Sequence, residues 1–203
     1  YFSLLSNWYV WVIRVFFSMA ILAPFLWQVT KRKSAKQIYV YLATLFIINE
    51  ILIRALSFGY VTTIVYMTIG YLVPFIAGLC IYKFDKNQQK IIFFMWLLVF
   101  MIAFTMFNMH STEIIYTQSD KYPPGMYYIS YAMMMICLFY YYRYYIFDFV
   151  SLILGKTIPI FYGQNSLWIY FYHIIYIKFI YNSENIYLIV GAFVFPGLMT
   201  FVQ

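Results

Sequence analysis

Apolar runs long enough to cross a lipid bilayer recur along this chain, and short basic loops separate them. Trp8 to Val29 contains one charged residue, Arg14, and is followed at once by Lys31, Arg32, Lys33 and Lys36. A spanning helix needs roughly 20 mostly apolar residues. The chain is 66% hydrophobic and only 9% charged, whereas a soluble domain has about 25% charged residues to cover its surface. There are too few charges here for that, so most of the outer surface must face hydrocarbon.

The apolar runs predict helices over Trp8–Val29, Gln37–Leu56, Val61–Tyr82, Ile91–Met109, Met126–Phe147, Ser166–Tyr181 and from near Ile186 to the chain end. Asp148–Gln164 is too short to cross and is broken by Gly155, Lys156, Pro159 and Gly163. The expectation is an all-α, polytopic transmembrane helical bundle with about seven spans and one short interfacial or re-entrant segment. Residues 1–203 then form a single transmembrane domain. Cytoplasmic loops carry an excess of Lys and Arg. The first loop has four cations and the third has Lys83, Lys86 and Lys90; Arg143 and Lys156 flank the short segment. These loops therefore fall on the cytoplasmic side of a multi-pass protein in the cell membrane. The net charge of +7 is explained by these loops and does not point to nucleic acid. Cys80 and Cys137 lie inside apolar runs and read as small core residues.

Ionisable residues within a span cost about 2.5–3.5 kcal/mol and tend to face a bundle interior or a wet cavity. Arg14, one turn before Ser18, either holds an anionic group in such a cavity or snorkels to the outer interface. Glu50 and Arg54 are four apart with the acid first, the favourable order for a helical ion pair. They read as a substrate contact or as a self-neutralising structural pair. At 100° per residue, Ser166, Tyr170 and His173 fall within about 60° of one another on one helix face. That line suits an imidazole oriented for general acid–base work, or a buried neutral histidine bridging helices. Asn165 and Ser166 stand where a helix is expected to start, as N-caps or as contacts for a phosphate. No His-x-x-x-His or Cys-x-x-Cys metal spacing, phosphate-binding glycine loop or Gly-x-Ser-x-Gly elbow occurs. His110, in a polar loop, reads as solvated.

The run GQNSLWIYFYH, Gly163 to His173, resembles the C-terminal Gly-x-x-Ser-Leu-x-Ile-Tyr-x-x-His signature of the acyltransferase-3 family of membrane O-acyltransferases. NWYVWVIRVFFSMAILAPFL, YLVPFIAGLCIYK and KYPPGMYYISYAM resemble three further family segments, in the family's order. The resemblance implies transfer of an acyl group, usually acetyl, from acyl-CoA to a hydroxyl of a cell-surface sugar or polysaccharide precursor. Acetyl-CoA is then the donor, with no bound cofactor or metal, and membrane lipids are the surroundings. His173 with Tyr170 would support the catalytic site. Arg14, Glu50, Arg54, Asn165 and Ser166 would contact substrate, with Arg14 on the acceptor side because the topology puts it near the outer surface. Family members typically have about ten spans, with a basic residue and a histidine about ten residues apart in the first. No such pair occurs here, so the chain looks like the C-terminal two-thirds of a member, with the principal histidine expected upstream of Tyr1. Two other readings remain open. One is a transporter or flippase subunit for a glycan or lipid-linked sugar, with hinges at Pro74 and the interrupted segment. The other is a non-catalytic scaffold or sensor.

Overall fold

The computed structural model describes residues 10–55, 60–109, 114–121, 123–166, 168, 169, 172, 191 and 194–200, with side chains from residues 15 and 68 onward in the first two stretches and without that of residue 118. Every element there is helical: α1 (Val10–Thr30), α2 (Ala35–Ala55), α3 (Tyr60–Cys80), α4 (Lys86–Asn108), α5 (Met126–Tyr141), α6 (Arg143–Leu154) and α7 (Thr157–Gln164), with two 3-10 turns at Ile81–Lys83 and Thr117–Asp120. The chain divides into two compact units, Tyr1–Tyr142 and Arg143–Gln203.

In the first unit α2 and α3 pair, α4 and α5 pair, and α3 also packs on α1 and α5. Ile38 and Leu42 of α2, Val73, Ile76 and Cys80 of α3, Trp96 of α4, and Ile129 and Met133 of α5 form the buried core. Phe46 meets Trp96 edge-on at 5.1 Å. Phe100, Phe104 and Phe107 follow one face of α4 and surround the Tyr127 ring at 5.3, 6.3 and 5.4 Å. Cys80 and Cys137 are buried with free thiols. The outer faces are apolar: Phe17 of α1 is 67% exposed and Leu98 of α4 63%.

Two helices begin earlier than the apolar runs suggest, because capping boxes recruit polar residues into the first turn. Ser34 and Gln37 bond reciprocally at the start of α2, at 3.0 and 3.3 Å. Asp85 and Gln88 do the same at the start of α4, at 3.2 and 2.8 Å. At the other end of the α3–α4 connection, the three ammonium hydrogens of Lys83 serve α1. Its Nζ donates to the carbonyls of Thr30 at 2.6 Å, Lys31 at 2.9 Å and Lys33 at 3.1 Å. These carbonyls belong to the end of α1 and the loop beyond it, where no further helical turn supplies N–H partners.

The expected count of seven spans is not supported. Among the described residues, α2 and α4 are long and apolar enough to cross a membrane, and a bent pair, α6 with α7, makes a third if it counts as one span. Val15–Thr30, Thr68–Lys83 and Met126–Tyr141 are apolar but shorter. The expected helix over Met126–Phe147 stops at Tyr141. Tyr142 leaves helical geometry, with ψ at 9°, and Arg143, the first charge after an uninterrupted uncharged run, opens α6.

In the second unit α6 and α7 meet at 116°. Gly155 makes the bend in the left-handed region, φ 76°, which a side chain disfavours. The interrupted segment expected at Asp148–Gln164 is thus a sharply bent helical pair that begins earlier, at Arg143. No residue of α6 or α7 is buried. Residues 194–200 are helical, and Gly197 lies against the Tyr162 hydroxyl.

Candidate functional site

The first unit holds a polar cluster where the α4–α5 loop enters the bundle. Pro124 is fully buried and lies against Gly70, the midpoint of α3 (Tyr60–Cys80). At 1.5 Å per residue that is about 15 Å in from the helix end. The loop therefore dips to about half the depth of α3. Only a residue without Cβ admits such an approach, because a methyl group on Gly70 would overlap the Pro124 ring.

Non-helical backbone at that depth must find hydrogen-bond partners within the protein. Helix side chains supply them. Asn49 of α2, with no exposed surface, donates through Nδ2 to the Pro124 carbonyl at 2.9 Å. Asn108, at the end of α4, accepts the Ile115 N–H at 2.6 Å. The Tyr127 hydroxyl donates to the Ile115 carbonyl at 3.2 Å, and the Tyr71 hydroxyl to the Lys121 carbonyl at 3.4 Å.

Acidic groups face the start of α5. Gly125, its N-cap, offers no side chain. Asp120 takes that role from the preceding turn, its Oδ2 accepting the N–H groups of Tyr127 at 2.8 Å and Tyr128 at 3.3 Å. Carboxylates favour helix N-termini because the orphan N–H groups and the helix dipole both attract negative charge. Burial nevertheless pushes the Asp120 carboxyl up from its ordinary value, against the opposing pull of the Tyr128 and Tyr127 N–H groups and the Arg54 charge. Burial also pushes the neighbouring Lys121 ammonium down.

Glu50 and Arg54 form the ion pair their spacing predicts, at 3.6 Å. Glu50 is 16% exposed and Arg54 63%. Glu50 also lies within electrostatic reach of Asp120 and of the Met126 N–H, so two acids and one arginine share the mouth of this loop. Two buried oxygens, Asn49 Oδ1 and Glu50 Oε1, have no hydrogen-bond partner among the described residues.

Arg14 lies in α1, with its side chain outside the described residues. Tyr170 and His173 lie outside the described residues, as does His110. Asn165 ends α7 (Thr157–Gln164). Its Nδ2 donates back to the Phe161 carbonyl at 2.9 Å, while its own carbonyl accepts the Ile169 N–H at 3.0 Å and starts the next turn. Asn165 thus stands between α7 and the turn that follows, its amide nitrogen bonded to the helix behind it and its carbonyl to the turn ahead. Ser166 is exposed and helical.

Sequence reasoning overlooked Asn49 and Asp120. Asn49 carried a readable signal, since an amide inside a predicted span is as much in need of a partner as a charge. Asp120 carried a weaker one, an acid a few residues before a helix that begins with Gly. Among the described residues no group of three His, Cys, Asp or Glu side chains could hold a metal ion. No family model matches this chain, and neither curated proteins nor solved structures give a match.

Proposed function

We propose that this chain is part of a multi-pass membrane O-acyltransferase that moves an acyl group, usually acetyl, from acyl-CoA to a hydroxyl of a cell-surface sugar or polysaccharide precursor. One observation carries the reading: four segments resembling those of the acyltransferase-3 family follow one another in the family's order. One of them, KYPPGMYYISYAM, is the loop that dips into the bundle and the helix it starts. Membrane embedding is supported by the helices of spanning length and by the apolar outer faces of α1 and α4.

The chemistry needs a base to take the acceptor hydroxyl's proton. The oxygen then attacks the thioester carbon, hydrogen-bond donors stabilise the oxyanion, and CoA leaves as the thiol once protonated. In this reading His173 and Tyr170 support that centre. Glu50 and Arg54, with Asp120 beside them, line the loop mouth and contact the acceptor through its hydroxyls.

Membranes carrying the full-length protein and supplied with labelled acetyl-CoA are expected to label an endogenous glycan, and His173→Ala to lower that labelling strongly. No labelling from any acyl-CoA, together with no acyl-CoA binding, refutes the enzyme reading. The 116° bend between α6 and α7 favours a second reading, a transporter or flippase subunit, because interrupted helices recur in translocation paths. Movement of a glycan across sealed vesicles without covalent change would decide for it.

A further inference from the structure

The two basic loops of the first unit meet at one end of it. Lys83 reaches across to the carbonyls of Thr30, Lys31 and Lys33, so Lys31, Arg32, Lys33 and Lys36 share a surface with Lys86 and Lys90. Asp85 is the single acid in these two loops, and its carboxylate accepts the Gln88 N–H at 2.8 Å. Lys33 and Lys90 lie over tyrosine rings, Tyr41 and Tyr141, at 5.8 and 5.7 Å. Lys31, Arg32, Lys36 and Lys86 are exposed.

Between the first turns of α2 and α4 runs a groove of about 360 Å³. Tyr39, Phe84, Ile92 and Met95 give it apolar walls, and Lys36 and Gln88 stand where the two helices begin. The Tyr39 hydroxyl reaches the Met95 sulfur at 3.4 Å, joining the two walls. From Gln88 to Met95 the groove follows α4 for about 10 Å, at 1.5 Å per residue.

We propose that this groove binds one anionic phospholipid of the cytoplasmic leaflet, with its acyl chain along the α2–α4 walls and its phosphate at Lys36, in the field of Lys31, Arg32 and Lys86. The apolar walls take the chain by the same transfer that favours any hydrocarbon burial. The excess of cations over the single acid of these loops, Asp85, decides for an anionic headgroup over a zwitterionic one. A basic pocket between helices on the cytoplasmic side has this chemistry in general. The inference rests on membrane embedding and is independent of acyl transfer.

The test uses the full chain reconstituted in vesicles containing equal parts of phosphatidylcholine and phosphatidylglycerol. Recovery in the vesicle fraction is measured first, and then the lipid that remains bound after detergent extraction, by native mass spectrometry. Phosphatidylglycerol is expected to be retained over phosphatidylcholine. Lys36→Gln should lower its retention about fivefold, the effect of one basic residue at a membrane surface. Ile92→Trp, which fills the groove without changing charge, should lower retention of either lipid there. Lys90→Gln, on a different groove of α4, should leave retention unchanged. Equal retention of the two lipids, or a Lys90→Gln loss as large as that of Lys36→Gln, overturns the site and leaves embedding intact. A chain absent from the vesicle fraction overturns both.

Discussion

Replacing Lys83 with Met tests how the two basic loops are tied together. The methionine keeps an unbranched stem of similar length and removes all three N–H donors. The lost bonds run to Thr30, Lys31 and Lys33 at 2.6, 2.9 and 3.1 Å, and the Lys31 bond is solvent-exposed. A hydrogen bond from a charged donor contributes about 1.5–3 kcal/mol when shielded, and less when water competes. Two partly shielded bonds, reduced by the entropy of fixing a long side chain, give a net loss of about 2 kcal/mol. The assay is reversible unfolding of the detergent-solubilised chain in increasing dodecyl sulfate, followed by tryptophan fluorescence. Lys83→Arg should recover part of the loss, because its planar fork cannot reach three carbonyls arranged around one point. If Lys83→Met stays within about 0.5 kcal/mol of the parent, the three contacts do not hold the loops and the reasoning fails.

Gly70→Ala should destabilise by about 1–3 kcal/mol through overpacking against Pro124. Gly78→Ala, in the same helix with open space around it, should be neutral or stabilising, as alanine is the better helix former; equal effects in the same unfolding assay would remove the close approach as the cause. Asp120 has a folded carboxyl raised by burial above its ordinary 3.8, so the folded chain keeps this proton over a pH range where the unfolded chain has lost it. Its contribution is therefore fully present below that range and declines as pH rises through it. Asp120→Asn should flatten that part of the stability profile in unfolding titrations that begin below the ordinary value of 3.8 and run upward, and an unchanged slope would refute the assignment.

Helix existence was readable because a chain this poor in charge has few ways to satisfy its backbone other than helices. Helix ends were read less well. The starts of α2 and α4 were carried by Ser34–Gln37 and Asp85–Gln88, a local pattern that apolar periodicity ignores. The end of α5 at Tyr141 has no breaker residue to announce it; the next charge, Arg143, is the sole cue. The Glu50–Arg54 pair was legible because spacing on one helix fixes it. Its closeness to Asp120 was not, because that depends on how far a loop enters the bundle. Loop depth comes from long-range packing of Pro124 on Gly70, which no local pattern encodes. At Asn165 the residue type marked a helix boundary, since its carbonyl takes the Ile169 N–H, while the bond from its Nδ2 to Phe161 depends on a helix behind it that apolar periodicity did not place.

The depth of that loop also explains why polar side chains occur where they do. A helix satisfies its own backbone in hydrocarbon, but an irregular segment does not. Asn49, Asn108, Tyr71, Tyr127 and Asp120 each bond the backbone of the α4–α5 loop or of the first turn of α5. Together they let α5 begin at Met126, part-way into the bundle. Scaffold duty accounts for those five residues. Among the described residues it does not account for Arg54, which pairs with Glu50 and is mostly exposed, nor for Glu50 Oε1, which has no hydrogen-bond partner there. An ion pair with one spare acid oxygen, at the mouth of a deep loop, is among the described residues a candidate contact for a polar ligand. A neutral pair at these two positions should therefore change ligand handling more than it changes folding.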